Sequence, residues 1–460
     1  MKIFLLYLVL LKLICLEAAS FSSQYQLLAS LYPERQLNVS ADFGSAATIG
    51  SSFVAIGAQN NHNESGSVFL FDPNGNASEV ISQINAPPTF SKGANFGCAL
   101  QACGETLVIG AQYDGVEQEG AVVIYSIQRN HTGLDAQMIT VLKAPVEYRS
   151  ALFFGGSLHL TCDAATGVQT LIIGAAAGAG QGAMFMTSRK NSDQLWSPVN
   201  LLSKAPKSLI GANYGQSVAS DGQSFGLVGA NHAGEDNSTG TVFLIPFGTN
   251  PEEAEIEFKP PEHVKAGSYF GTVVSVAPAQ SYEINSKKIL NSPNNKPLVV
   301  ISAPWALNGT GLVMIYSSQG ELLSEIPTPP ELDGWSNFGI TLDFLSESCL
   351  AIGAWGGNST GLVYIYNIPE HPSETSPPHL VEVISPPSSS EPIFFGSSLG
   401  SSVSSSILSN NGITQEASLD LGHLGPELSK GQDTSVLLAI GASGDGSGDR
   451  GEAFLYKITI

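Results

Sequence analysis

The chain offers few residues whose types and spacing suit catalysis. Two segments match the GxSxG motif of serine hydrolases, Gly222–Gly226 and Gly396–Gly400. A hydrolase nucleophile needs a strand, a sharp turn and a helix around it, whereas the first segment reads as a turn between strands and the second as a strand. The eight histidines are scattered, with no HExxH motif and no phosphate-binding loop. We therefore predict that the chain has no catalytic residues and no cofactor.

The cysteines also lack metal-binding spacing. Cys15 lies in an apolar leader, so the mature chain keeps Cys98, Cys103, Cys162 and Cys349, without a CxxC pair. Structural zinc sites need closely spaced cysteine or histidine pairs. Four cysteines are also too few to hold a domain of this size together, so the fold depends on its own core.

The leader indicates the secretory pathway. Lys2 precedes a nearly continuous apolar run over residues 3–16, followed by the small residues Ala18, Ala19 and Ser20. This is the pattern of a signal peptide, and the run is short for a membrane span, the alternative reading. We predict a signal peptide over residues 1–20 and a secreted or lumenal mature chain, with no later membrane span. Seven Asn-x-Ser/Thr sequons fit glycosylation in that compartment: Asn38, Asn63, Asn76, Asn130, Asn237, Asn308 and Asn358.

Composition favours a fold of short strands. The 460 residues include 49 glycines and 26 prolines, and only 13% are charged, which is typical of strands joined by tight turns. The net charge of −21 disfavours nucleic acid and anionic membranes as partners. The sequence leaves the oligomeric state and the identity of any ligand open.

Seven segments share one plan. Each opens with an aromatic residue followed by glycine, from Phe43-Gly44 to Phe395-Gly396, at intervals of 53, 58, 60, 56, 68 and 57 residues. A second strand ends in Gly-Ala, except in the fifth segment, where Ser302-Ala303 takes its place. A third apolar strand such as SVFLF or LVYIY follows, and a fourth often ends in Ala-Pro or Pro-Pro. Four strands per segment is the size of one propeller blade.

The two ends of the chain complement each other. The last segment stops after its third strand, residues 452–456, and residues 24–33 form a fourth strand without a blade. We predict that this N-terminal strand completes the last blade. The predicted fold is therefore a single all-β, seven-bladed β-propeller over residues 21–460, with no free sheet edge at the junction.

This repeat resembles the FG-GAP repeat, the unit of the integrin α-chain propeller, over essentially the whole mature chain. The resemblance implies that the aromatic-Gly and Gly-Ala corners share one face of the disc, and it implies a role in adhesion or ligand recognition.

Many integrin-like blades carry a DxDxDG calcium loop between their first two strands. The corresponding turns here read IGSS, ACGET, SDGQS and LSES in blades 1, 2, 4 and 6, which lack alternating oxygen ligands. In blades 5 and 7 the connection is long and polar, roughly residues 278–297 and 401–433. We predict no metal.

Two sectors of that face could bind a partner. Trp305, Trp335 and Trp355 fall in corner loops of blades 5 and 6, where exposed tryptophans would anchor a protein or a sugar; the alternative is that they pack between blades. Asn308 and Asn358 lie in the same loops, and their glycans would crowd a protein. Blades 2 and 3 have no sequon on this face, and their loops hold aromatic and charged residues suited to an interface: Phe90, Lys92, Tyr113, Asp114, Tyr148 and Arg149.

The sequence thus predicts a secreted, non-catalytic module that binds an extracellular protein or a glycan. The alternative is a secreted carbohydrate-active enzyme or lectin on a propeller scaffold. Carboxylates converging in one pocket would favour the enzyme, and an open face with exposed aromatics would favour the binding module.

The blade register also bears on the cysteines. Cys103 and Cys162 both fall at the turn between the first and second strands, in adjacent blades, whereas Cys98 lies at the other end of the same strand as Cys103. Five residues of strand span roughly 16 Å, which exceeds disulfide reach. Cys349 is several blades away. The predicted disulfide is Cys103–Cys162, and the alternative is four free thiols.

Overall fold

The computed structural model describes residues 25–32, 37, 41–131, 133–148, 152–163, 165–176, 181–191, 194–234, 238–248, 256–277, 281–284, 287–290, 297–332, 334–387, 394–401, 435–443 and 451–459. The predicted signal peptide lies outside these ranges.

Seven antiparallel sheets of four strands form the molecule. Blade 1 contains β2 (Phe43–Ile49), β3 (Val54–Ala58), β4 (Ser67–Phe71) and β5 (Val80–Asn85). Blade 2 contains β6 (Phe96–Cys103), β7 (Thr106–Ala111), β8 (Ala121–Asn130) and β9 (Gly133–Leu142). Blade 3 contains β10 (Phe154–Asp163), β11 (Val168–Ala175), β12 (Ala183–Lys190) and β13 (Asn200–Lys204). Blade 4 contains β14 (Tyr214–Ser220), β15 (Phe225–Ala230), β16 (Thr241–Pro246) and β17 (Ile256–Phe258).

Blade 5 contains β18 (Val274–Val276), β21 (Leu298–Ala303), β22 (Leu312–Ser317) and β23 (Leu322–Pro327), and its long connection includes a separate hairpin of β19 (Ser281–Ile284) and β20 (Lys287–Leu290). Blade 6 contains β24 (Thr341–Phe344), β25 (Cys349–Ala354), β26 (Leu362–Asn367) and β27 (His379–Ile384). Blade 7 contains β28 (Phe395–Ser401), β29 (Ser435–Ala442), β30 (Glu452–Thr459) and β1 (Tyr25–Leu31). The described helical turns are α1 (Asn61–Glu64), α2 (Ala306–Gly309) and three 3₁₀ turns, Val146–Tyr148, Lys207–Leu209 and Gly357–Ser359.

The N-terminal strand closes the ring, as the sequence predicted. β1 pairs antiparallel with β30, from Tyr25 opposite Ile458 to Leu31 opposite Ala453. The first strands of the seven blades also contact one another in a closed circle, and β28 of the last blade lies against β2 of the first. The prediction of a closed seven-bladed propeller is therefore confirmed.

The core lies between blades. The second and third strands are apolar over most of their length because both of their faces are covered by neighbouring sheets; every residue of β3 and β4 is buried. One cluster joins Val68 and Leu70 of blade 1 to Leu107 and Ile109 of blade 2. Equivalent clusters continue round the disc, and one joins blade 7 to blade 1. Each fully buried Phe or Leu side chain contributes roughly 1.5–3 kcal/mol relative to an exposed one.

The glycines of the two motifs meet each other across the blade junctions. A Cβ atom on Gly57, at the end of β3, would overlap the carbonyl oxygen of Gly97 in the aromatic-Gly corner of the next blade. The same approach recurs in blades 2, 3, 4 and 6, and Gly441 of blade 7 meets Gly44 of blade 1. Only glycine allows the two backbones to come so close. This contact explains why the aromatic-Gly pair recurs in all seven blades and the Gly-Ala pair in six, with Ser302 taking the place of the glycine in blade 5.

Candidate binding face

One edge of every blade carries both corners. In blade 1, the register places Phe43 beside Ala58, and Ala58 beside Ser67. The loop before the first strand and the loop between the second and third strands therefore emerge on the same side of the disc. We call this side the corner face. It includes the loops in which the sequence placed its candidate binding residues.

The residue before each aromatic-Gly pair has a positive φ. The seven residues are Asp42, Asn95, Phe153, Asn213, Tyr269, Asn337 and Phe394, with φ between 47° and 60°. Asn and Asp adopt this left-handed conformation more readily than other non-glycine residues. For the three aromatic residues it costs about 1–3 kcal/mol each. Their side chains lie on the corner face, half-buried.

The side chains of the three aromatic residues pack against the loops that follow the second strands. Phe153 contacts Tyr113, with ring centroids 5.3 Å apart, and Tyr269 lies 5.2 Å from Trp305. Phe394 lies 5.5 Å from Trp355, whose indole N–H donates to Asn337 Oδ1 at 2.8 Å. Trp305 and Trp355 therefore adopt the packed arrangement that the sequence left open as an alternative.

Trp335 differs from the other two tryptophans. Its side chain is 72% exposed, and its φ is +71°. It lies between the blade 5 turn around Gly309 and the blade 6 turn around Gly356. The three predicted tryptophan anchors thus separate into two that are half-buried and one that is open to solvent.

A cleft of about 600 Å³ opens in blade 2 at its border with blade 1. Two of the predicted residues, Lys92 and Tyr113, line it. Val116, at the tip of a loop that lines the cleft, is 94% exposed. The sequence did not identify the remaining lining residues, which are Asn60, Glu64, Ser91, Gly93, Asn95, Gly115, Val116 and Gln118.

The other predicted residues of this sector do not line the cleft. Phe90 packs edge-on against Phe96 at 6.4 Å, and Tyr148 packs against Phe185 at 5.9 Å. Asp114 is buried, where its carboxylate accepts from the Ser91 N–H at 2.9 Å and from Lys143 Nζ at 3.1 Å. All three side chains are therefore engaged in packing or hydrogen bonds within the protein. Arg149 lies outside the described residues.

A second cleft, of about 860 Å³, lies in blade 4. Exposed Ile210 and His232 line it, together with Glu257 and Lys259. No motif in the sequence marks this cleft, because its residues come from three separate segments of the chain.

The described sequons lie on both sides of the disc. Asn308 and Asn358 are exposed on the corner face, and Asn63 lies in α1 on the same face. Asn76 and Asn130 are exposed at the turns that link the third and fourth strands of blades 1 and 2. Asn38 and Asn237 lie outside the described residues.

Two titratable groups with shifted pKa values lie on first strands, His159 in blade 3 and Asp343 in blade 6. Burial lowers the pKa of His159 to about 4, and its Nε2 lies 3.0 Å from the carbonyl oxygen of Ser220. Burial raises the pKa of Asp343 to about 6, against opposing hydrogen bonds from Ser401. In the part of the chain that the structure describes, no group of three or more His, Cys, Asp or Glu side chains could hold a metal.

The cysteines follow the blade register. Cys103 at the end of β6 forms a disulfide with Cys162 near the end of β10, with Cα atoms 6.4 Å apart. Cys98 and Cys349 are free thiols. Burial raises the pKa of Cys98 to about 11 and that of Cys349 to about 12, so both stay protonated at neutral pH.

The fold defines the chain as a seven-bladed β-propeller of four-stranded antiparallel blades. A solved structure with a similar fold is the WD40 domain of Toxoplasma gondii coronin. It matches with a TM-score of 0.51 and 10% sequence identity, covering 96% of this chain and 87% of that one. No protein-family model and no curated protein sequence matches the chain. Among the described residues, no helix has the length and apolarity needed to cross a bilayer.

Proposed function

We propose that the chain is a secreted, glycosylated and non-catalytic binding module of the FG-GAP, integrin α-like type, which recognises an extracellular protein through the blade 2 cleft. The signal-peptide pattern and the seven sequons support the compartment. The propeller scaffold, typical of interaction modules, supports the class of function.

The observation that carries the proposal is the composition of the cleft. Lys92 and Glu64 supply both charges, Tyr113 supplies an aromatic surface, and Asn95 and Gln118 supply amides. Protein interfaces combine aromatic residues with a polar, solvent-accessible rim, and the cleft offers both kinds of group. Blades 2 and 3 have no sequon on the corner face, and among the described sequons only Asn63, next to the lining residue Glu64, lies at the blade 1 edge of the cleft.

The test compares matched pairs of substitutions in the two clefts. Biotinylated secreted protein is screened against purified extracellular domains and a glycan array, and the affinity for each hit is then measured. Tyr113→Ala with Lys92→Glu should weaken protein binding by at least about thirtyfold, the loss typical of hot-spot residues. Ile210→Ala with His232→Ala, in the blade 4 cleft, should leave it unchanged.

Two results would contradict the proposal. One is binding that is lost only with the blade 4 pair, which would move the site. The other is binding to glycans alone, which would make the chain a lectin.

A further inference from the structure

Trp335 occupies a backbone position that other blades fill with glycine. It stands two residues before the left-handed residue that precedes the aromatic-Gly pair. The equivalent residues in blades 2, 4 and 5 are Gly93, Gly211 and Gly267, with φ of 76°, 80° and 78°. Glycine adopts this conformation without steric cost, whereas a side chain there strains the backbone. In blade 6 this position holds Trp335, with the largest of all side chains and a φ of +71°.

Packing within the protein does not explain this choice. Trp305 and Trp355 each pack against another aromatic ring. Within the described ranges the Trp335 indole stacks on no other ring, and the residue is 72% exposed. The backbone of Trp335 is therefore strained and its side chain is exposed. This suggests that the indole contacts a group that the polypeptide itself does not supply.

The nearest candidate is the glycan acceptor Asn308. A Cβ on Gly309 would lie 3.3 Å from Trp335 Cε3, so the indole rests against the residue that follows Asn308. The two segments are tied together, because Asn337 N–H donates to the Gly309 carbonyl at 3.0 Å and Ser336 Oγ donates to the Thr310 carbonyl at 2.9 Å. Asn308 itself is exposed, at φ 65°.

The sequon occupies a shared register in the repeat. In four blades the order is Asn, any residue, Ser or Thr, and then the glycine that precedes the third strand: Asn63 to Gly66, Asn237 to Gly240, Asn308 to Gly311 and Asn358 to Gly361. Each of these glycines bridges to the aromatic residue of the next blade. At the blade 1 junction, the residue after Asn63 faces Gly93, which is the position that Trp335 fills at the blade 5 junction.

We propose that the first sugars of an N-linked glycan on Asn308 stack on the indole of Trp335. The π face of an indole carries negative electrostatic potential, and the C–H bonds on one face of a pyranose ring present weakly positive hydrogens to it. The occupant of this exposed aromatic surface is thus the chain's own glycan. The proposal rests on the secretory part of the proposed function and is independent of the blade 2 cleft.

The test is a double-substitution cycle on protein secreted from a glycosylating eukaryotic host. Asn308→Gln should lower the Tm by about 1–2 °C, because the stacked sugar is lost. Trp335→Gly restores the residue of the other blades, and in this background Asn308→Gln should leave the Tm unchanged. Asn308→Gln should also increase the quenching of tryptophan fluorescence by acrylamide, since the indole loses its cover.

Asn63→Gln is the matched control, because it removes a glycan at the same register where glycine faces the sequon. It should not change the quenching. Equal Tm losses from Asn308→Gln in the wild-type and Trp335→Gly backgrounds would overturn the proposal. So would an unoccupied Asn308 in a mass spectrum that shows glycans on Asn63 and Asn358. Absence of glycans from every sequon would overturn the secretory assignment as well.

Discussion

The disulfide between Cys103 and Cys162 links the turns of two adjacent blades across a sequence separation of 59 residues. Such a link stabilises chiefly by restricting the unfolded chain. The chain-entropy relation gives about 4 kcal/mol for a loop of this length. Unfolding entropy of about 2.1 cal/mol/K per residue, over roughly 430 residues, converts this free energy to a Tm change of about 4–5 °C.

The assay is thermal unfolding of the secreted protein with and without a reducing agent. We expect reduction to lower the Tm of the wild type by about 4–5 °C. Cys103→Ala with Cys162→Ala should show a similarly low Tm that the reducing agent does not change further. Cys98→Ala, on the same strand as Cys103, keeps the disulfide and should remain sensitive to reduction.

A wild-type Tm that does not respond to reduction, although non-reducing peptide mapping finds the Cys103–Cys162 peptide, would refute the predicted stabilisation. A peptide that links Cys98 to Cys349 would be more serious. Those residues lie in blades 2 and 6, so such a link would contradict the blade register itself.

Three further predictions concern closure, charge and metal. Deleting residues 21–33 removes β1 and should cause aggregation or a large fall in Tm; an unchanged melting curve would show that closure is dispensable. Because burial raises the pKa of Asp343 from 3.8 to about 6, its contribution to stability is present below pH 3.8 and is lost as the pH rises through 6. Asp343→Asn should therefore raise the Tm at pH 7.5 by an amount equivalent to at most about 3 kcal/mol, reduced by partial exposure, and should have little effect at pH 4; equal effects at both pH values would count against this. EDTA should leave the Tm unchanged, and a clear drop would reveal an oxygen-ligand metal site.

The repeat could be predicted from the sequence because backbone geometry requires its motifs. Gly57 and Gly97 meet where no Cβ fits, and the same pair of glycines recurs at six of the seven blade junctions, so the periodicity is visible in the sequence. The closing strand could also be predicted, because the N-terminus carries a fourth strand without a blade and the last blade lacks its fourth strand.

The binding face was only partly readable, because side-chain partners come from separate loops. Asp114 looks like an interface residue in the sequence, but its carboxylate is buried and pairs with Lys143, 29 residues later in the chain. The positive φ before each aromatic-Gly pair had a usable signal in Asp42, Asn95, Asn213 and Asn337. Phe153, Tyr269 and Phe394 gave no such signal, because bulky aromatics seldom adopt that conformation.

The pairing of β1 with β30 has a consequence for biosynthesis. The strand made first finds its partner only when Glu452–Thr459 have been synthesised, more than 420 residues later. At about 5–20 residues per second, roughly 20–85 s pass between the synthesis of β1 and that of its partner strand. The N-terminal end therefore lacks its partner strand until translation is nearly complete, and a chain that stops before Glu452 would lack the strand that closes the ring.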